Sequence, residues 1–161
     1  MAVCVCRETL GWNQTMLLVV YDDGGAYYDH VVPPHADVPS DDAPCHLRDQ
    51  CSPTANAFDF RRLGGRSSAL VISPWVNAGV VNEPVLGPQN GSQFELSSIP
   101  ATVKNLFNLS GFLTKRDKWA GSLHELTLNR TSPRTDCPLH LPAAPPPAKP
   151  WGPVPNGSLT D

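Results

Sequence analysis

The fold class the sequence predicts is α/β, with sheet and helices layered against each other, and three observations predict it. Residues 16–21 (Met-Leu-Leu-Val-Val-Tyr) form an unbroken apolar run that stops at Asp22-Asp23-Gly24-Gly25. Such a run, apolar on both faces and closed by a turn, reads as a buried strand of a parallel or mixed sheet. A second run of this kind, residues 68–73 (Ser-Ala-Leu-Val-Ile-Ser), is stopped by Pro74. Between Ser98 and Leu109 the apolar positions change period: Ile99, Val103, Leu106 and Phe107 fall at i, i+4, i+7 and i+8, the stripe of an amphipathic helix.

In chain order, residues 3–10 read first as a short helix with Val3, Cys6 and Leu10 on one side, ended by Gly11. The first strand follows, then a polar, Pro-rich loop over residues 37–57, then the second strand. The helix that opens at Ser98 can be capped by Ser97 or Ser98. Pro100 suits its first turn, where a missing N–H costs little. Eight of the 18 prolines lie from Pro138 onward, so the compact unit is expected to span residues 1–137 and a disordered Pro-rich tail residues 138–161. The elements are too few for a complete doubly wound sheet, and the chain reads as part of a larger domain.

Charge and composition exclude some functions. The net charge is −3 with no basic stripe, which argues against nucleic acid as a partner. No apolar run approaches the roughly 20 residues that span a bilayer. The N-terminus turns charged at Arg7-Glu8 before an apolar core develops, unlike a signal peptide. Of five cysteines, Cys4 and Cys6 point apart on a helix, whereas Cys45 and Cys51 bracket a short loop and are either a local disulfide or two free thiols. Five of the nine asparagines (Asn13, Asn90, Asn108, Asn129 and Asn156) begin Asn-x-Ser/Thr sequons. They are either coincidence or the mark of a parent protein that passes through the secretory pathway. In the second case this chain lacks its true N-terminus.

The candidate chemistry sits at Asp22 and Asp23. Ligands of open α/β sheets bind beyond the carboxyl ends of strands. Two adjacent carboxylates there repel each other unless a cation lies between them. Gly24-Gly25 lets the backbone turn and leaves room beside them. By local pattern alone the same four residues are also ordinary turn chemistry.

The longer string shifts the balance between these readings. Trp12-Asn13-Gln14-Thr15, the apolar strand and then Tyr21-Asp22-Asp23-Gly24-Gly25-Ala26-Tyr27-Tyr28-Asp29-His30-Val31 resemble the signature of the phosphoesterase family. That family includes plant non-specific phospholipases C, bacterial phospholipases C and related acid phosphatases. Its usual wording is close to W-N-x-T, a hydrophobic strand, then Y-D-E-H-G-G-F-Y-D-H-V. Four further blocks match in order: Arg62-Leu63-Gly64-Gly65-Arg66 with Val71-Ile72-Ser73-Pro74-Trp75-Val76; Phe94-Glu95-Leu96-Ser97-Ser98-Ile99-Pro100-Ala101-Thr102-Val103-Lys104; Leu113-Thr114-Lys115-Arg116-Asp117-Lys118-Trp119-Ala120-Gly121; and Pro133-Arg134-Thr135-Asp136-Cys137-Pro138. Together they cover residues 7–138, nearest to the plant-type enzymes.

The resemblance implies an alkaline-phosphatase-like α/β fold, here as a partial sheet with flanking helices, and metal-assisted hydrolysis of a phosphoester, most simply a phospholipid. It assigns Asp22 and Asp23 to a divalent metal ion, with Asp23 one methylene shorter than the usual glutamate. The attacking Ser or Thr belongs to an earlier part of a longer chain, and nothing here matches it. Gly24 and Leu96 stand where the family has histidines, which leaves altered specificity or lost activity open. His30 does match, either as a phosphate-facing group or as a structural histidine. Arg66, Lys115, Arg116 and Asp117 read as salt-bridged or solvated structural residues more readily than as phosphate binders. Trp75 and Trp119 read as core or interface aromatics. Besides a phospholipid or phosphoester substrate, a membrane surface is the partner considered. The alternative functions are a truncated product that binds without turnover, or an adaptor acting through its Pro-rich tail.

Overall fold

The computed structural model describes residues 10–24, 29–40, 60–81 and 87–138, with 143, 145 and 146. The helix expected over residues 3–10, Cys4, Cys6, Cys45, Cys51, most of the 37–57 loop and most of the tail lie outside the described residues, and Cys137 is unpaired.

After a 3-10 turn at Trp12–Gln14, strand β1 (Leu17–Val20) pairs antiparallel with β2 (Ala69–Ile72). The register sets Leu17 opposite Ile72 and Val20 opposite Ala69. Both strands lie where the apolar runs predict, yet the expected burial on both faces is not found among the described residues. Val19 is 48% exposed and Leu70 59%. A two-stranded ribbon has no layer of its own to cover its faces, so β-branched and leucine side chains stay open.

Helix α1 (Ser98–Leu106) and the short helix α2 (Lys115–Trp119) follow, then a 3-10 turn at Leu123–Thr127. α1 begins after Ser97, whose side chain makes no cap bond; the Ser98 hydroxyl instead accepts the Glu95 amide at 3.0 Å. The helix stops three residues before the expected Leu109, with Asn108 turned to a left-handed φ of 47° and the Leu109 amide closing on the Lys104 carbonyl.

The face that α1 buries corrects the sequence expectation. Val103, Leu106 and Phe107 are exposed, and Ser98, Ala101 and Thr102 are the buried residues. Hydrogen bonding explains the inversion. The Thr102 hydroxyl donates to the Ser98 carbonyl at 2.6 Å and accepts the Leu123 amide at 2.8 Å, while the Ser122 hydroxyl approaches it at 3.4 Å. Small polar side chains let the chain at 122–123 come close and satisfy its buried amide.

The core gathers around α2. Trp119 and Ala120 pack with Val38, and Leu63 closes over them. Val38 therefore belongs to the core, although the sequence places it in the peripheral 37–57 loop. Arg116 fastens two loops by donating to the carbonyls of Pro39 and Phe60, and the Ser92 hydroxyl donates to the Trp119 carbonyl at 2.6 Å. Gly91, at φ 76°, lies so near Asp37 that a Cβ would meet the aspartate Cβ at 3.4 Å. A side chain there would be strained by the backbone conformation, whatever the room beside Asp37.

Asp117 starts α2 with a complete capping box. Its carboxylate accepts the amides of Leu113 (2.9 Å) and Thr114 (2.7 Å) and the Thr114 hydroxyl, and the Thr114 hydroxyl accepts the Asp117 amide. Burial pushes this carboxyl up, but those bonds outweigh it and hold it below the ordinary range. Asp117 is thus structural, as Arg116 is.

Candidate metal and phosphate site

Asp22 and Asp23 follow β1 after Tyr21, beyond its carboxyl end, and both are exposed. The turn that carries them is pinned to the chain entering β2. The Tyr21 amide donates to the Ser68 carbonyl at 3.5 Å, and the Ser67 hydroxyl donates to the Asp23 carbonyl at 3.2 Å. A Cβ on Gly24 would lie 3.7 Å from the carbonyl oxygens of Gly65 and Arg66. At that distance a Cβ would make only ordinary contact, so the closeness of the two backbones does not depend on glycine.

That contact brings Arg66 into the neighbourhood, where it meets Asp29. Arg66 Nε donates to one carboxylate oxygen at 2.7 Å and Nη2 to the other at 2.8 Å. The Val31 amide adds a third bond at 3.0 Å. The Arg66 guanidinium, then the Val31 amide, hold the Asp29 carboxyl well below the usual carboxylate range. Asp29 raises Arg66 in return. His30 stands at the edge of this pair, its Nδ1 3.5 Å from Asp29, with its side chain 88% exposed.

Sequence reasoning placed Asp22 and Asp23 after a strand, where they lie, and read Arg66 as a salt-bridged or solvated structural residue; it is salt-bridged, and His30 lies beside its partner Asp29. It missed Asp29, which sits beside the matched His30 but 37 residues from its partner Arg66. Only the fold brings those two together. Trp75 has an anchoring role: its Nε1 donates to the Asn13 carbonyl at 2.7 Å. The last matched block folds back onto the second, since the Arg134 amide donates to the Pro74 carbonyl at 2.8 Å and its guanidinium pairs with Asp136.

Two carboxylates suit a hard divalent cation, which takes oxygen ligands, but six to eight oxygens are usual for calcium and six for magnesium. Among the described residues no three His, Cys, Asp or Glu side chains gather to hold a metal. Asp22 and Asp23 together supply fewer oxygen donors than either ion takes. Among the described residues no helix is long and apolar enough to cross a membrane.

Comparison with known proteins identifies the family. The sequence model of the Phosphoesterase family matches residues 4–110. Non-specific phospholipase C3 of Arabidopsis thaliana is 52% identical over 139 residues, covering 86% of this chain and 25% of that protein. Non-specific phospholipase C1 of the same plant is 44% identical over 156 residues, covering 96% of this chain and 28% of that protein. Non-hemolytic phospholipase C of Pseudomonas aeruginosa is 35% identical over 85 residues, covering 46% and 12% respectively. The chain therefore spans about a quarter of the length of the plant relatives it matches. By the extent of these matches, the chain belongs to the phosphoesterase family.

Proposed function

We propose that the protein hydrolyses phosphoesters, and phospholipids in particular, and that this chain contributes the metal-binding carboxylates Asp22 and Asp23 but not the nucleophile. The observation that carries the reading is the acidic pair itself. Two exposed carboxylates follow the end of β1, on a turn fixed to the β2 approach by Ser67. A divalent cation bound there would stabilise the negative charge of the phosphoryl group. The residues of this chain hold and orient. Asp22 and Asp23 supply hard oxygen donors, Ser67 fixes their turn, and Asp29 clamps Arg66 beside it. His30, next to that clamp and open to solvent, is read as a phosphate-facing group.

The fold reading is a partial alkaline-phosphatase-like sheet. Its support is the apolar surface left on the ribbon by Val19, Val20 and Leu70, which further layers of a larger domain would bury. Passage of the parent protein through the secretory pathway is supported by sequon asparagines at the surface: Asn13, Asn90, Asn108 and Asn129 are all exposed.

A chimera tests the proposal. Residues 10–138 replace the matching stretch of the Arabidopsis phospholipase C3, and release of phosphorylated head group from phosphatidylcholine is followed. The chimera should turn over and the isolated 161-residue chain should not. A folded but inactive chimera would refute the hydrolytic reading, and turnover by the isolated chain would refute the assignment of the nucleophile to another segment.

A further inference from the structure

We propose that Asn90 is a site of spontaneous deamidation, where the folded chain converts its own asparagine to aspartate and isoaspartate. Of the nine asparagines, Asn90 and Asn156 are the two that precede glycine. Before any other residue the next side chain crowds the amide nitrogen that must attack; glycine has no Cβ to do so. Asn90 and Gly91 form the tip of a turn closed by the Ser92 amide on the Gln89 carbonyl at 3.2 Å. Both are exposed, and among the described residues neither the Asn90 carboxamide nor the Gly91 amide is held in a hydrogen bond. Nucleophile and electrophile belong to one dipeptide, so the reaction needs no group from elsewhere in a longer chain.

The step consumes only water. The Gly91 nitrogen loses its proton to solvent base and attacks the side-chain carbonyl carbon of Asn90. The new bond closes a cyclic imide, and the bond to Nδ2 breaks, with the nitrogen leaving as ammonia. Water then opens the imide at either carbonyl. Opening on the main-chain side leaves isoaspartate, whose backbone runs through the former side chain. The chemistry is independent of metal binding and of turnover.

The turn sits where such a change reaches the core. The buried Ser92 hydroxyl accepts the Gln89 amide at 3.1 Å and donates to the Trp119 carbonyl at 2.6 Å, and Gly91 lies against Asp37. Either product adds a negative charge to a turn already packed on an aspartate. Isoaspartate also lengthens the chain inside the turn, which draws Ser92 away and leaves the Trp119 carbonyl without its donor. Asn90 begins a sequon as well, and a glycan there would occupy the nitrogen that has to leave, so the two modifications exclude each other.

The experiment is peptide mapping by mass spectrometry of the full chain, made in a bacterial host so that Nδ2 is unsubstituted, during incubation at neutral and at alkaline pH. Isoaspartyl methyltransferase labelling distinguishes the two products. Asn90 should convert while circular dichroism shows the chain folded, faster at the higher pH, and at a rate unchanged by urea below the unfolding transition. Asn90→Gln should abolish the product at this position, and it should keep the urea midpoint that the aged parent loses. Asn90 intact while Asn156, in the same Asn-Gly-Ser sequence, converts would overturn the proposal. So would a rate that climbs with urea, which places the reaction in the unfolded chain, or equal midpoints for fresh and fully converted protein.

Discussion

Arg66 grips Asp29 through two parallel bonds of 2.7 and 2.8 Å, joining the segment after the acidic turn to the approach of β2. The bond to Arg66, then the one from Val31, lower the Asp29 pKa. A group depressed in the folded state contributes stability above its unfolded value, about 3.9 for aspartate. That contribution is lost only as pH falls through the lower folded value. A carboxyl-carbon NMR titration should find Asp29 still ionised where free aspartates have protonated. In Arg66→Gln its midpoint should move back toward about 3.9. An unchanged midpoint would mean that the clasp does not form in solution.

The α2 cap should matter more than its five-residue length suggests. Thr114→Ala should cost about 1 kcal/mol in urea denaturation, the usual loss for an N-cap. Asp117→Ala should cost about 1–3 kcal/mol, because the Leu113 and Thr114 amides lose their charged acceptor. The Asp117 carboxyl is also depressed, so this part of the stability is present above about pH 3.9 and fades below it. Equal stability of both variants and the parent would contradict the capping geometry.

The two faces of α1 can be told apart by substitution. Thr102→Val keeps volume but leaves the Leu123 amide without its acceptor, and should destabilise the chain by about 1–3 kcal/mol. Phe107→Ser, at a side chain 71% exposed, should stay within about 0.5 kcal/mol of the parent. The opposite ranking in denaturant melts would restore the apolar stripe as the packed face.

These contrasts show what sequence can carry. The positions of β1, β2 and α1, and the carboxylates closing β1, are local patterns and were legible. Which face of α1 is covered was not, because periodicity marks Ile99, Val103, Leu106 and Phe107 as apolar but cannot say what packs on them. The Thr102 side chain is chosen by its bond to the Leu123 amide, 21 residues on. The Asp29–Arg66 clasp spans 37 residues and leaves no trace in either neighbourhood. Val38 looked like loop because its neighbours are Pro and Asp; its place in the core depends on Trp119.

The central claim is that Asp22 and Asp23 hold the metal on which hydrolysis depends. The measurement closest to it is the turnover of the chimera against divalent-cation concentration, with and without Asp22→Asn/Asp23→Asn. The parent chimera should saturate with added cation, and the double variant should lose turnover by about a hundredfold or more at any cation concentration, the scale of removing direct charge stabilisation from a transition state. Equal turnover and an equal cation requirement in the two proteins would contradict the claim.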